Sequence, residues 1–230
     1  MVLEAARDNT GDAGNARQAL EELCQTYWYP LYAFARRRGE SPESAMDATQ
    51  SFFADLLEKS WINRADPARG RFRSYLLTVF RRFLNDQRKR NEAARRGGGA
   101  NLISMDAGAA EERFKLEPAS DVTADDLFER KWAMTLLTTV FTKLQNEYEQ
   151  KQKGDLFTAL RQYLLAADDK LPYSEVAEQL GMSVSNVKVA VHRLRQSYRK
   201  ILESEVAQTV ESTTDIDSEI GSLLVALSRK

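Results

Sequence analysis

Cations are the side chains through which this chain is best equipped to act. Arg71, Arg73, Arg81, Arg82, Arg88, Lys89, Arg90, Arg95 and Arg96 crowd one segment, with Asn85, Asp86 and Gln87 among them. Guanidinium and ammonium groups neutralise phosphates, and amide side chains reach base edges. Phe72, Tyr75, Phe80 and Phe83 interleave with those cations. Cations beside aromatic faces suit an unstacked single strand as well as a duplex. The helical period of these aromatics nevertheless favours burial in a core. A second basic set, Lys188, Arg193, Arg195, Arg199 and Lys200, accompanies Ser183, Ser185, Asn186, Val189 and His192.

Bond-making chemistry has no comparable set. Asp47 and Gln50 lie one helical turn apart, but no base, metal ligand or nucleophile accompanies them. Gly97-Gly98-Gly99 lacks the Lys-Ser/Thr of a phosphate-binding loop. The single cysteine, Cys24, excludes an internal disulfide, and the single histidine leaves no zinc set. Cys24 falls on an apolar stripe and reads as core. His192, alone on a basic helix, reads as a groove or solvent group. The expectation is a protein that is not an enzyme, uses no cofactor and works by binding.

The 230 residues carry 33 Lys+Arg against 34 Asp+Glu, a net charge of −1. That near-neutrality hides alternating blocks. Residues 1–63 sum to −4, 64–96 to +8, 97–130 to −5, 131–170 to +1, 171–202 to +3 and 203–230 to −4. A local basic patch, rather than net charge, is the footprint of a nucleic-acid binder. Hydrophobic residues make up 43%, enough for real cores. No apolar run approaches the ~18 residues of a membrane helix, and residues 1–15 lack a signal-peptide layout. The reading is a reduced, cytoplasmic protein.

Helices must position these groups. Leu20, Leu23, Cys24, Tyr27, Trp28, Leu31, Tyr32 and Phe34 form one stripe, inside which Pro30 is expected to kink or reset the helix. Ser41-Pro42-Glu43 reads as an N-cap with Pro at the first helical position. The next helix carries Ala45, Phe52, Phe53, Leu56 and Leu57, and Asp66 to Gly70 reads as a turn. Phe72, Tyr75, Leu76, Val79, Phe80, Phe83 and Leu84 keep helical spacing. The three glycines then open an acidic stretch to about Asp121, too long for an ordinary loop. It reads as an extended linker between two domains. Helices resume near Ala124. After Glu203 the chain is acidic, with a small amphipathic candidate at Ile216, Ile220, Leu223, Leu224 and Leu227.

Residues 171–196, LPYSEVAEQLGMSVSNVKVAVHRLRQ, have the layout of a helix-turn-helix. Ala177 is small where two helices cross, Gly181 sits where the turn needs a positive φ, and Val187 faces back into the core. Ser183 is placed to cap the second helix. The exposed face would offer Ser185, Asn186, Lys188, Val189, His192 and Arg193 to a major groove, with Arg195 following. A helical hairpin with a solvated basic face is the alternative.

Two blocks resemble the extracytoplasmic-function group of bacterial RNA polymerase sigma factors. One runs from LYAFARRRGESPESAMDATQSFFADLLEK at Leu31 through GRFRSYLLTVFRRFLNDQRKR, ending at Arg90, and the other is the helix-turn-helix. Together they span about 90 of the 230 residues. Many members carry Asn where this chain has Arg82, and residues 143–167 lack the usual short Pro-containing turn. The resemblance implies that Asp47, Gln50, Ser51 and Asp55 dock on the clamp helices of core RNA polymerase. It implies that Arg73, Arg81, Arg82, Asn85, Arg88 and Lys89 meet the −10 promoter element. Ser183, Ser185, Asn186, Lys188, Val189, His192, Arg193 and Arg195 would meet the −35 element. The linker would thread toward the polymerase active centre. Partners implied are core polymerase and promoter DNA, with an anti-sigma factor or inhibition by the acidic tail left open. The location implied is the nucleoid.

The expected fold is all-α: two small helical domains joined by an acidic flexible linker. Residues 1–96 form the first domain, 97–123 the linker, 124–202 the helix-turn-helix domain and 203–230 an acidic extension. A stand-alone helix-turn-helix regulator and a helical protein-binding adaptor are the competing functions.

Overall fold

The computed structural model describes residues 13–58, 71–93, 107–117, 122–164, 170–210 and 215–228. Among them the regular structure is helical, with no strand. The helices are α1 (Ala13–Arg37), α2 (Pro42–Glu58), α3 (Phe72–Ala93), α4 (Ala107–Lys115), α5 (Ala124–Gln150), α6 (Gly154–Leu160), α7 (Tyr173–Gln179), α8 (Val184–Ala207) and α9 (Ile216–Ser228), with a 3-10 turn at Arg161–Tyr163. None is long and apolar enough to cross a membrane. The expected turn at 66–70, the three glycines, Arg95 and Arg96 lie outside the described residues.

The chain divides into two compact units. One comprises Met1–Thr135 and Val206–Lys230, the other Leu136–Glu205. The division does not follow the expected boundaries at 97, 124 and 203. Part of the anticipated linker is helix α4, the first turns of α5 belong to the first unit, and so does α9.

The first unit is built on aromatics. Leu31, Tyr32, Phe34, Phe52, Leu56, Leu76 and Phe80 are fully buried. Phe80 packs on Phe52 with ring centroids 4.9 Å apart and on Phe34 at 6.1 Å. Helix α1 runs through Pro30 without the expected reset. Trp28, Tyr29 and Leu31 are buried around it, and that packing offsets the hydrogen bond a proline cannot donate. Gly39, at φ +89°, closes α1, and Ser41 caps α2 through its Oγ, 3.1 Å from the Ser44 amide. Cys24 is half-buried, and burial pushes its thiol up to about 11.

Helix α4 forms inside the acidic stretch because it has a partner. Arg36 donates from Nε to Oε2 and from a terminal nitrogen to Oε1 of Glu111, both at 2.9 Å, and the Tyr32 hydroxyl donates at 2.7 Å. Arg36 also lies over the Phe114 ring at 4.9 Å, and Arg113 over Tyr29 at 4.0 Å. Just beyond, buried Lys131 pairs with Glu117.

The Arg36 hydrogen bonds hold the Glu111 carboxyl below its ordinary 4.5. A depressed carboxylate stabilises the fold above its unfolded pKa, and that stability is lost as pH falls through the folded value. Amide hydrogen exchange should therefore show α4 protected near neutrality and progressively open below pH ~4.5. Glu111→Gln should reduce protection of α4 already at pH 7 and flatten its acid dependence.

Candidate nucleic-acid interface

Helix α3 presents its cations unevenly. Its inner face buries Phe72, Leu76, Leu77, Phe80 and Leu84, so the aromatics are largely core, with Tyr75 and Phe83 half-buried. Arg82, Asn85 and Lys89 are exposed and follow i, i+3, i+7 spacing, which sets them on one stripe. Arg81 is half-buried and bonded to Asp125 at 2.6 Å. Arg88 pairs with Glu40 and donates to the Arg38 carbonyl at 2.9 Å.

Arg73 departs most from expectation. Its side chain is 3% exposed, bonded through Nε to Glu129 at 2.6 Å and paired through a terminal nitrogen with Glu219. The guanidinium lies 4.3 Å from the centre of the fully buried Trp132 ring. Burial draws its pKa below the ordinary guanidinium range, against the raising effect of Glu129. In this arrangement Arg73 meets no solvent and hence no phosphate. Arg71 also bonds Glu219, at 2.8 Å, and reaches the Ser218 hydroxyl at 3.3 Å. Glu219 itself is 1% exposed. Helix α9 thus lays a carboxylate onto the start of α3.

Helix α2 turns Ala45, Met46, Ala48, Thr49, Phe52, Phe53 and Leu56 inward. Asp47 and Ser51 stand exposed one turn apart, with Gln50 and Asp55 half-exposed beside them. The four residues share one outward face, as helical geometry requires.

The second unit holds the helix-turn-helix. Leu144, Phe157, Leu160, Tyr163, Val176, Ala177, Val187, Val191 and Leu194 form its core. Gly181 has φ +62°, and the Met182 amide donates to the Ala177 carbonyl at 2.9 Å to close α7. Ser183 caps α8 through the Asn186 amide at 3.2 Å. Tyr163 stacks on Tyr173 with centroids 4.8 Å apart and donates to the Leu171 carbonyl at 2.6 Å. Because Val187, Val191 and Leu194 face inward, Ser185, Asn186, Lys188, Val189, His192 and Arg193 face out. Arg195 differs from these: its Nε and a terminal nitrogen both donate to the Tyr163 carbonyl, at 3.1 and 2.9 Å. It fastens α8 to the preceding 3-10 turn.

A helix-turn-helix with an open polar face and an aromatic-cored bundle with a basic stripe are thus both present in one chain. Residues 23–94 match the family model described as Sigma-70 region 2, and residues 161–197 match Sigma-70, region 4. The chain carries both sigma-70 regions. This pairing is typical of extracytoplasmic-function sigma factors. The protein acts in promoter recognition and transcription initiation, with core RNA polymerase and promoter DNA as partners. No curated protein and no solved structure matches the chain.

Helices α4, α5 and α9 lie outside both matched regions of this sigma factor. Sequence reasoning missed the carboxylates they bring, Glu111, Glu129 and Glu219. One signal was available: Glu219 lies on the same stripe as Ile216, Ile220, Leu223 and Leu227. A carboxylate on an apolar stripe needs a buried partner.

A Cβ added at Gly181 would meet no atom within 4 Å, so only its backbone opposes substitution. Gly181→Ala should cost about 1–2 kcal/mol, the left-handed penalty for an L-residue. Urea unfolding of the full chain tests this, with Gly154→Ala as a control in ordinary backbone.

Proposed function

We propose that this sigma factor divides its promoter between two helices. The Arg82, Asn85 and Lys89 stripe of α3 meets the −10 element, with Arg81 and Arg88 at its margin. The outward face of α8 reads the −35 element through Ser185, Asn186, Lys188, Val189, His192 and Arg193, with Ser183 holding the helix start. Arg195 orients α8 rather than reading DNA. The observation that carries this is the exposed row of small, amide and cationic side chains on α8, which suits a major groove. Asp47, Gln50, Ser51 and Asp55 dock on the polymerase clamp helices. The protein supplies binding energy, performs no chemistry of its own and works at the nucleoid.

The acidic linker and tail act as restraints in this reading. Glu219 occupies Arg71 and Arg73, two cations at the start of the helix that carries the −10 stripe. The free factor therefore binds DNA weakly until core polymerase engages it. For the segment before α5 to thread toward the active centre, the Arg36–Glu111 contact must open. An anti-sigma factor is not needed for this restraint.

Run-off transcription with purified core, followed by sequencing of transcript starts, maps the promoters. A gel shift with and without core then separates a sigma factor from a stand-alone regulator, which would bind alone. In holoenzyme at a mapped promoter, Lys188→Ala with Arg193→Ala should weaken −35 binding by about 1–3 kcal/mol for each base these side chains no longer meet. Unchanged promoter activity would remove α8 from the reading role.

Glu219→Gln tests the restraint. The full-length factor without core should bind duplex DNA more tightly. Its affinity should fall with salt more steeply, by a logarithmic slope of about 1, as Arg71 becomes available. A folded variant, by circular dichroism, with an unchanged slope would refute the restraint.

A further inference from the structure

A groove of about 480 Å³ runs along one side of α8 in the second unit. Asn186, Val189 and Arg193 line it from α8, and Tyr148, Lys151 and Lys153 line it from the end of α5 and the turn to α6. The proposed reading face and a two-lysine turn therefore share one concavity. No base-reading role suits the turn, because Lys151 and Lys153 come from a different element than the helix that would enter the groove of DNA.

The turn is held in an uncommon way. Gln152 has φ +55°, the one positive-φ residue other than glycine among the described residues. Its amide donates to the Glu149 carbonyl at 2.9 Å, and the Lys153 amide donates to the Tyr148 carbonyl at 2.8 Å. These are the two bonds of a Schellman closure. Gly39 and Gly181 occupy the same place in the closures of α1 and α7. The left-handed conformation is unfavourable for an L-residue, and here it fixes the backbone on either side of Gln152, where the lysines are. Both lysines are exposed. Lys151 lies 3.3 Å from Glu147, an exposed pair of the kind that is worth little and is readily exchanged for another anion. Arg193 adds a third cation to the same concavity.

We propose that Lys151 and Lys153 clamp the phosphate backbone of the duplex whose bases α8 reads. The occupant follows from charge: a cationic rim beside a polar reading helix complements a duplex strand, and phosphate contacts fix register while base contacts specify. The clamp sets the angle at which α8 enters the major groove. It rests on the −35 assignment given to α8.

The test uses full-length holoenzyme at a promoter mapped by transcript starts, with affinity measured across salt concentrations. Lys151→Ala with Lys153→Ala should lower the salt slope by about 2, one per phosphate contact. The preference for the −35 element over a scrambled one should stay the same. Lys151→Arg with Lys153→Arg should restore the slope. Arg161→Ala with Lys170→Ala removes the same charge elsewhere in the unit and should change it little. An equal fall in that control would overturn a local clamp. So would an unchanged slope in the Lys151/Lys153 variant while Lys188→Ala with Arg193→Ala weakens binding, and then the −35 assignment survives. If neither pair affects binding, the −35 assignment falls and the clamp with it.

Discussion

The first unit depends on how it accommodates one buried guanidinium. Removing an ion from water costs several kcal/mol even after relaxation. Arg73 offsets that cost with Glu129 on one side, Glu219 on the other and the Trp132 ring against its face. The guanidinium and its partners come from α3, α5 and α9, elements far apart in sequence. The cluster therefore fixes which segments belong together more than it adds stability. Hydrophobic residues of similar volume could fill the space, but they would not select Glu219.

That accommodation narrows the interface. By sequence, residues 64–96 carry +8, as though the whole helix faced nucleic acid. Ion pairs take Arg71, Arg73, Arg81 and Arg88 into the unit's own architecture. Arg82, Asn85 and Lys89 stand open along α3 without a carboxylate partner in an ion pair among the described residues, with exposed Asp86 among them. A narrow stripe suits recognition of a short element better than a broad cationic face, which would bind any phosphate backbone.

Much of this was legible from residue types alone. The helix-turn-helix could be read because Ala177, Gly181 and Val187 each answer a steric demand that few other residues meet. Ser41 and Ser183 cap the helices they precede, as their side chains predict. What escaped reading was non-local. Composition marks 97–123 as acidic linker, but Glu111 becomes ordered only because Arg36 and Tyr32 lie opposite it. Pro30 reads as a helix breaker until its buried neighbours are counted. Arg73 looks like a DNA contact because periodicity places a cation on a face without saying which carboxylates already wait there.

The first unit is also discontinuous: Met1–Thr135 is completed by Val206–Lys230, with Leu136–Glu205 between them. A ribosome therefore finishes the entire helix-turn-helix unit before it makes Glu219. Domains tend to fold as units during synthesis. The nascent first unit must wait with Arg73 one carboxylate short of its final complement, and its basic stripe is in place before the segment that neutralises its neighbours. Order of synthesis thus places the capture of Arg71 and Arg73 by Glu219 after the helix-turn-helix unit has been made.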